Sequence, residues 1–165
     1  MRSKSQVGQD LWAYENCQLK TFLDVGASKP IKHNNTYMLE CAGWEGVCVD
    51  CDKSHAEDYA KFRASPYYIV DARLLDWEMF FAIYYDGVEK IGYLSLDCDD
   101  DTLSVLKALP ESVKFEAITV EHDSYRLGTG VRDEIRGILR ERGYKPNRLD
   151  VSAEGVPFED FWLLK

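Results

Sequence analysis

The sequence predicts a single α/β domain, residues 1–165, with a seven-stranded, mostly parallel sheet that ends in an antiparallel hairpin. Short apolar runs alternate with longer amphipathic runs, which is typical of strands and helices in a parallel sheet. With 165 residues, 45% of them apolar, the chain suits one domain with one substantial core. A turn at Glu154-Gly155 joins the last two apolar runs, and adjacent strands joined by a turn are antiparallel.

The predicted strands are short runs rich in β-branched or aromatic residues, and they span residues 21–25, 46–49, 67–70, 93–96, 117–120, 144–151 and 158–164. Five helices fit the gaps, at residues 35–42, 54–62, 77–85, 102–109 and from 129 or 130 to the stop at 143. Ser54 and Asp76 are good N-caps, and Gly43, Pro110 and Gly143 are good helix stops.

The charge balance indicates which partners the protein lacks. The chain has 20 basic and 29 acidic residues, a formal net charge of −9. Nucleic acids and anionic membranes attract clustered Lys and Arg, so neither is expected as a partner. No apolar run approaches the roughly 18 residues of a membrane span, and no signal peptide is visible. We therefore expect a cytoplasmic protein.

The five cysteines are expected to be reduced in that compartment. Cys48 and Cys51 form one C-x-x-C motif, but a zinc site needs four ligands and no second pair lies at ligand spacing. We interpret both as small core residues.

Acidic side chains stand at the ends of five predicted strands. They are Asp24, Asp50, Asp71, Asp97 and Glu121. In a doubly wound sheet, ligands bind at the carboxyl ends of the strands. The five carboxyl groups are therefore expected to surround one crevice.

The turn after the first strand excludes two common nucleotide sites. Gly26 is the only glycine there, so the turn lacks the G-x-G-x-x-G of dinucleotide folds, and the chain has no P-loop. An acid before a lone glycine, here Asp24, suits an ammonium group. The Asp50 carboxylate can accept hydrogen bonds from both hydroxyls of a ribose. The Asp71 carboxylate can accept one from the amine of adenine. Ammonium, ribose and adenine without phosphate indicate S-adenosylmethionine.

The order of these segments resembles the FkbM family of S-adenosylmethionine-dependent methyltransferases. The matching segments are Ser5-Gln6-Val7-Gly8-Gln9-Asp10, Phe22-Leu23-Asp24-Val25-Gly26-Ala27, Asn34-Asn35-Thr36-Tyr37-Met38-Leu39-Glu40, Gly43-Trp44-Glu45-Gly46-Val47-Cys48-Val49-Asp50, Tyr93-Leu94-Ser95-Leu96-Asp97-Cys98-Asp99 and Ile118-Thr119-Val120-Glu121-His122. The resemblance implies a Rossmann-like class I methyltransferase fold and methylation of a hydroxyl group on a sugar or related small molecule. It implies cofactor contacts at Asp24, Gly26, Ala27, Asp50 and Asp71.

The acceptor side of the site is predicted from the fourth and fifth strands. Asp97 is expected to face the methyl group of the cofactor, which makes it both a cofactor contact and a catalytic residue. Histidine is the residue type that most often serves as a base near neutral pH, and His122 is the best-placed histidine. Asp97 and His122 are the predicted acceptor-side pair, with Glu121 beside them.

A divalent cation is compatible with this sequence but not expected. If one binds, oxygen ligands would come from Asp97, Glu121 and Asp123. Asp97-Cys98-Asp99 also resembles the D-x-D of haloacid-dehalogenase-type phosphatases, but Asp101 stands where those have Thr or Val.

A second hypothesis is a degenerate methyltransferase-like binding or assembly module. The family usually has a glycine where this chain has Ser28-Lys29-Pro30, which stiffens the turn near the cofactor. The sequence leaves an oligomer open.

Overall fold

The computed structural model describes residues 2–165. Its strands are β1 (Thr21–Val25), β2 (Glu45–Asp50), β3 (Tyr67–Ile69), β4 (Lys90–Leu96), β5 (Lys114–Glu121), β6 (Tyr144–Ala153) and β7 (Val156–Leu164). They form one sheet in the order β3-β2-β1-β4-β5-β7-β6, in which β1 to β5 are parallel and β7 runs antiparallel to both β5 and β6. The predicted seven-stranded sheet with a C-terminal antiparallel hairpin is confirmed.

The helices are α1 (Gln9–Asn16), α2 (Tyr37–Cys41), α3 (Ala56–Phe62), α4 (Trp77–Tyr84), α5 (Thr102–Ala108), α6 (Ser124–Leu127) and α7 (Thr129–Glu141). Short 3₁₀ turns at Lys53–His55 and Asp99–Asp101 precede α3 and α5. None of the helices in residues 2–165 is long and apolar enough to cross a membrane.

The sequence did not predict α1 and α6. Helix α1 begins after Gly8, which has a φ of 85° and no side chain that could cap the helix. The sequence therefore has no N-cap residue that would predict this helix. Helix α6 has only four residues and follows Asp123, which has a positive φ of 43°. Both helices are shorter than the stretch over which a periodic apolar pattern becomes clear.

Two apolar layers cover the two faces of the sheet. One layer contains the buried side chains of α4, α5 and α7, such as Phe81, Leu106 and Leu139. The other contains those of α1, α2 and α3, such as Trp12 and Tyr59. Because both faces are covered, the central strands are apolar almost throughout, as is usual for parallel sheets.

The strand order also determines where a ligand can bind. Strand β1 lies between β2 and β4, so the connections leave it on opposite sides and open a crevice at the carboxyl ends of the strands. The strand order therefore places the predicted strand-end acids near one crevice. Asp24 lies within β1 rather than after it.

Candidate functional site

One cavity of about 800 Å³ lies at the carboxyl ends of the parallel strands. Five of the predicted site residues line it, and they are Gly26, Asp50, Asp71, Asp97 and Glu121. Asp24, Ala27, His122 and Asp123 do not line it. The structure thus brings together most of the predicted carboxyl groups and separates a few of them.

The turn after β1 approaches β4 more closely than any side chain would allow. Gly26 has a φ of +80°, and an added Cβ would lie 1.5 Å from the backbone oxygen of Asp97. The Gly26 N–H donates to the oxygen of Val49 over 2.9 Å, which ties the turn to β2. Gly26 therefore places three strand ends within reach of one ligand.

The Asp50 carboxylate is held in place by backbone donors. One oxygen accepts from the N–H of Ser28 and the other from the N–H of Asp52, each over 2.7 Å. Ser28, which begins the segment that departs from the family, has a positive φ of 48° and supplies one of these two donors. Asp50 lines the cavity, and each of its carboxylate oxygens keeps a lone pair for a further hydrogen bond.

Arg73 and Arg126 brace the acidic turn Asp99–Asp101 at the rim of the cavity. Asp71 accepts from Arg73 over 2.7–3.2 Å, and the same guanidinium reaches Asp101 over 3.1 Å. On the other side, Arg126 pairs with Asp100 and donates to Asp123 over 2.5 Å.

Three carboxyl groups lie side by side at the ends of β4, β5 and β7. Asp97 and Glu121 directly follow Leu96 and Val120, which are partners in the β4–β5 register, and Glu121 is itself the register partner of Glu159 on β7. Directly opposite side chains on a sheet are in contact, so three negative charges here would repel one another. Glu159 is a residue that sequence reasoning missed.

The carboxyl oxygens of Asp97 and Glu121 lie within 4.8 Å of each other. Burial and the hydrogen bond to Asp97 raise the pKa of Glu121 to about 11, so Glu121 is the donor at neutral pH. Burial also raises the pKa of Asp97, while the hydrogen bond from Glu121 opposes that rise. Because Glu121 keeps its own proton at neutral pH, Asp97 is the member of the pair that can receive one.

The oxygen ligands that could hold a cation differ from the predicted set. Oxygens of Asp97, Asp99 and Glu121 lie within 4.8 Å of one another, whereas Asp123 is turned toward Arg126. The candidate oxygen ligands for a cation are therefore Asp97, Asp99 and Glu121.

Asp24 and Ala27 lie outside the cavity lining and make hydrogen bonds within the protein. Asp24 is buried and accepts from the Thr36 hydroxyl over 2.7 Å, while the Ala27 oxygen accepts from Asn34 over 3.0 Å. The described cavity wall includes neither residue, so their predicted contacts with a cofactor stay predictions.

His122 lies on the far side of β5 from the cavity. Its Nδ1 accepts from the N–H of Ser124 over 3.2 Å, so Nε2 carries the proton and faces Asp160 over 3.5 Å. Arg136 pairs with the same Asp160 over 2.7 Å. Both ring nitrogens are directed at structural partners, and the predicted role of His122 as a base receives no support from this geometry.

Replacing Arg136 by Met is expected to destabilise the fold by about 3–5 kcal/mol, because Asp160 is fully buried and would lose its partner. Burial alone would raise the pKa of Asp160, but the hydrogen bonds from Arg136 and from the N–H of Asp150, with His122 nearby, lower it to about 2. This pairing therefore stabilises the fold above about pH 4 and is lost as the pH falls toward 2.

Urea unfolding at neutral pH measures the effect of Arg136→Met. The control is Arg140→Met on the same helix, because Arg140 is exposed and makes no ion pair within residues 2–165. Equal free energies of unfolding for the two variants would contradict the structural role assigned to the Arg136–Asp160 pair.

The five cysteines all lie in the described part of the chain and are free. Cys48 is buried in the core as predicted. Cys51 is exposed and lines the cavity, so its assignment to the core was wrong. The reason is that β2 ends at Asp50, and residue 51 already belongs to the turn.

Comparison with solved structures identifies the fold. The O-methyltransferase TomG of Streptomyces achromogenes, in complex with SAM, superposes with a TM-score of 0.62 at 14% identity, over 95% of this chain and 78% of that chain. The chain has the methyltransferase fold. The Methanococcus jannaschii fibrillarin pre-rRNA processing protein gives a TM-score of 0.63 at 15% identity, over 98% of this chain and 76% of that chain.

The methyltransferase fold is shared far more widely than any one chemistry. S. pombe Dnmt2 matches with a TM-score of 0.58 at 16% identity, but this chain spans about half of its length, 49%. No family model and no curated protein matches the sequence. The finer resemblance to the FkbM family therefore stays a prediction.

Proposed function

We propose that this protein is an S-adenosylmethionine-dependent methyltransferase that methylates a hydroxyl group of a small molecule. The supporting observation is that the Gly26 turn, Asp50 and Asp71 share one cavity with Asp97 and Glu121. The first three suit the cofactor and the last two suit the acceptor.

The cofactor side is argued from the chemistry of its donors and acceptors. The turn at Gly26 has no room for a side chain, so only backbone meets a ligand there. Asp50 keeps lone pairs for two ribose hydroxyls, and the adenine amine would take the place of one of the Arg73 donors on Asp71. A cavity of about 800 Å³ is within the usual range for such ligands.

The acceptor side is argued from the pair Asp97 and Glu121. When bound, S-adenosylmethionine supplies a methyl group on a positively charged sulfur. As the acceptor oxygen forms its bond to that carbon, the carbon–sulfur bond breaks and its electron pair stays on the sulfur. Asp97 receives the hydroxyl proton, and Glu121 stabilises its carboxylate beforehand by donating a hydrogen bond.

The charge of the cavity favours a small acceptor without phosphates. Eight carboxyl groups line it against two guanidinium groups, and the guanidiniums are already paired. The lining acids are Asp50, Asp52, Asp71, Asp97, Asp99, Asp100, Asp101 and Glu121. Such a cavity repels a phosphate backbone, so we retain the prediction of a small-molecule acceptor although fibrillarin is a pre-rRNA processing protein.

Asp50→Ala is expected to weaken the binding of S-adenosylhomocysteine by about 10–100-fold, because hydrogen bonds to a charged group contribute roughly 1.5–3 kcal/mol. Isothermal titration calorimetry measures the dissociation constant. The control is Asp58→Ala, which removes an exposed carboxylate on α3 outside the cavity.

The same titration tests the proposed function as a whole. Binding of S-adenosylhomocysteine to the wild-type protein, weakened by Asp50→Ala and not by Asp58→Ala, supports it. If millimolar S-adenosylhomocysteine neither binds nor stabilises the wild-type protein against heat, the proposed function is wrong.

A binding module without turnover is the second candidate. The observation that favours it is the occupation of Asp71 by Arg73, which leaves the adenine-side carboxylate already paired. Transfer of a radiolabelled methyl group to any member of a panel of sugars and phenols would exclude this candidate.

A further inference from the structure

Arg73 occupies the carboxylate that the adenine of the cofactor is proposed to use. A carboxylate has about four lone-pair positions for hydrogen bonds, and Arg73 fills those of Asp71. Oδ1 accepts from the backbone N–H of Arg73 over 2.9 Å and from its Nε over 3.0 Å. Oδ2 accepts from Nε over 3.2 Å and from Nη2 over 2.7 Å. An adenine amine therefore reaches Asp71 only by displacing one of these donors.

The turn after β3 holds this pair in place. Ala72, between Asp71 and Arg73, is buried, and its oxygen accepts from the indole N–H of Trp77 over 3.1 Å. The guanidinium also donates from Nη1 to Asp101 over 3.1 Å. Because it bridges two carboxylates, the planar group is fixed in orientation. This is the geometry in which an exposed arginine pair contributes measurably.

Two donors of Arg73 stay free for a ligand. A guanidinium has five N–H groups, and the hydrogen bonds within residues 2–165 use that of Nε, one on Nη1 and one on Nη2. One N–H on each Nη nitrogen is left. The side chain lines the cavity and is 47% exposed. Arg73 therefore presents donors where a free Asp71 would present acceptors.

The base of a bound nucleoside would meet this pair. Asp50, the proposed ribose acceptor, is the register partner of Ile69 on β3, and Asp71 follows two residues after Ile69. Asp50, Asp71 and Arg73 line the same cavity. Carboxylate oxygens bind an amine on the edge of a base, whereas N–H donors bind a ring nitrogen or a carbonyl oxygen.

We propose that Arg73 determines which nucleoside base the cavity accepts, because it occupies Asp71 and presents N–H donors in its place. The proposal rests on the proposed function, which places S-adenosylmethionine in this cavity. When the adenine amine displaces an Arg73 donor, one hydrogen bond to Asp71 replaces another, so little is gained. A base with a carbonyl oxygen in place of the amine meets the free N–H groups and displaces nothing. The protein should therefore tolerate a base that a free Asp71 would reject.

Two nucleosides that differ at this edge of the base test the proposal. S-Adenosylhomocysteine has an amine there, and S-inosylhomocysteine has a carbonyl oxygen beside a ring N–H. Isothermal titration calorimetry gives the two dissociation constants, and their ratio is compared between variants. Arg73→Met frees Asp71 and is expected to raise the preference for S-adenosylhomocysteine about 10–100-fold above that of the wild type. The control Arg140→Met changes an exposed arginine on α7 outside the cavity and should keep the wild-type ratio.

The change in that ratio decides the role of Arg73. If Arg73→Met leaves the ratio within about threefold of the wild-type value, a difference below roughly 0.7 kcal/mol, the proposal is overturned and the proposed function stands. If neither nucleoside binds the wild-type protein, the proposed function is wrong and the proposal fails with it. If Arg73→Met does not fold, Arg73→Lys takes its place, because one ammonium nitrogen cannot fill both Asp71 oxygens and reach Asp101 as the guanidinium does. The ratio should then rise in the same direction.

Discussion

Asp97→Asn is expected to lower the rate of methyl transfer by about 10²–10⁴-fold, the usual contribution of a positioned base. Asparagine keeps the size of the side chain but cannot accept the hydroxyl proton. Asp97 lines the cavity next to Glu121, and their carboxyl oxygens lie within 4.8 Å of each other. The rate is measured as transfer of a radiolabelled methyl group to whichever member of the sugar and phenol panel accepts it.

Binding of S-adenosylhomocysteine should change little in the same variant, because Asp50 and Asp71 are untouched. The fold should also survive, since burial raises the pKa of Asp97 and its ionised form therefore costs stability in the native state. Asp58→Asn is the control, because Asp58 is an exposed acid on α3 outside the cavity. Equal losses of binding and turnover in Asp97→Asn would contradict the assignment of Asp97 as the base.

Gly26→Ala is expected to abolish detectable binding of S-adenosylhomocysteine and to destabilise the fold by about 3 kcal/mol or more. The left-handed conformation alone costs an alanine about 1–2 kcal/mol. In addition, the new methyl group would overlap the backbone oxygen of Asp97 at 1.5 Å, so β1 and β4 must move apart. Thermal unfolding and calorimetry measure the two effects.

Gly43→Ala separates the overlap from the backbone strain. Gly43 has nearly the same φ, +82°, but nothing lies within 4 Å of an added Cβ. We expect this variant to lose only the strain energy of about 1–2 kcal/mol and to keep its binding of S-adenosylhomocysteine. Similar losses in both variants would mean that the close approach of Gly26 to Asp97 has no special role.

The two predictions concern the same place, because Gly26 and Asp97 are in contact through their backbones. The Asp97 N–H donates to the oxygen of Val25 over 2.9 Å, and the turn at Gly26 follows at once. The turn proposed to contact the cofactor and the proposed base Asp97 thus follow two paired strands, β1 and β4. A movement of that pair should therefore disturb both binding and turnover, whereas Asp97→Asn should disturb turnover alone.

Local patterns were sufficient to predict the sheet and much of the cavity. The acids at positions 50, 71, 97 and 121 were visible because each follows a short apolar run. Parallel strands place their carboxyl ends at one edge, so their meeting in one cavity follows from the fold class. The charge excess of the cavity follows from the same residues.

The roles of Glu159, His122 and Asp24 could not be predicted from short stretches of the sequence. Glu159 reads as one more polar residue in an edge hairpin, and only its register with Glu121 makes it part of the carboxyl row. His122 follows a strand end as plausibly as Glu121 does, but the backbone turn at Asp123 directs its ring to Ser124 and Asp160. Local patterns also could not show that the Asp24 carboxylate accepts a hydrogen bond from Thr36, which directly precedes α2.

The sequence by itself determined the α/β class, the seven strands and the line of acids at their ends, because these depend on periodicity and on the chemistry of single residues. Only the tertiary structure decided which acids face the cavity, which face a buried donor and which have a raised pKa. The physical reason is that ionisation and orientation of a buried carboxyl group depend on neighbours that are distant in the chain, as Glu159 and Gln9 are.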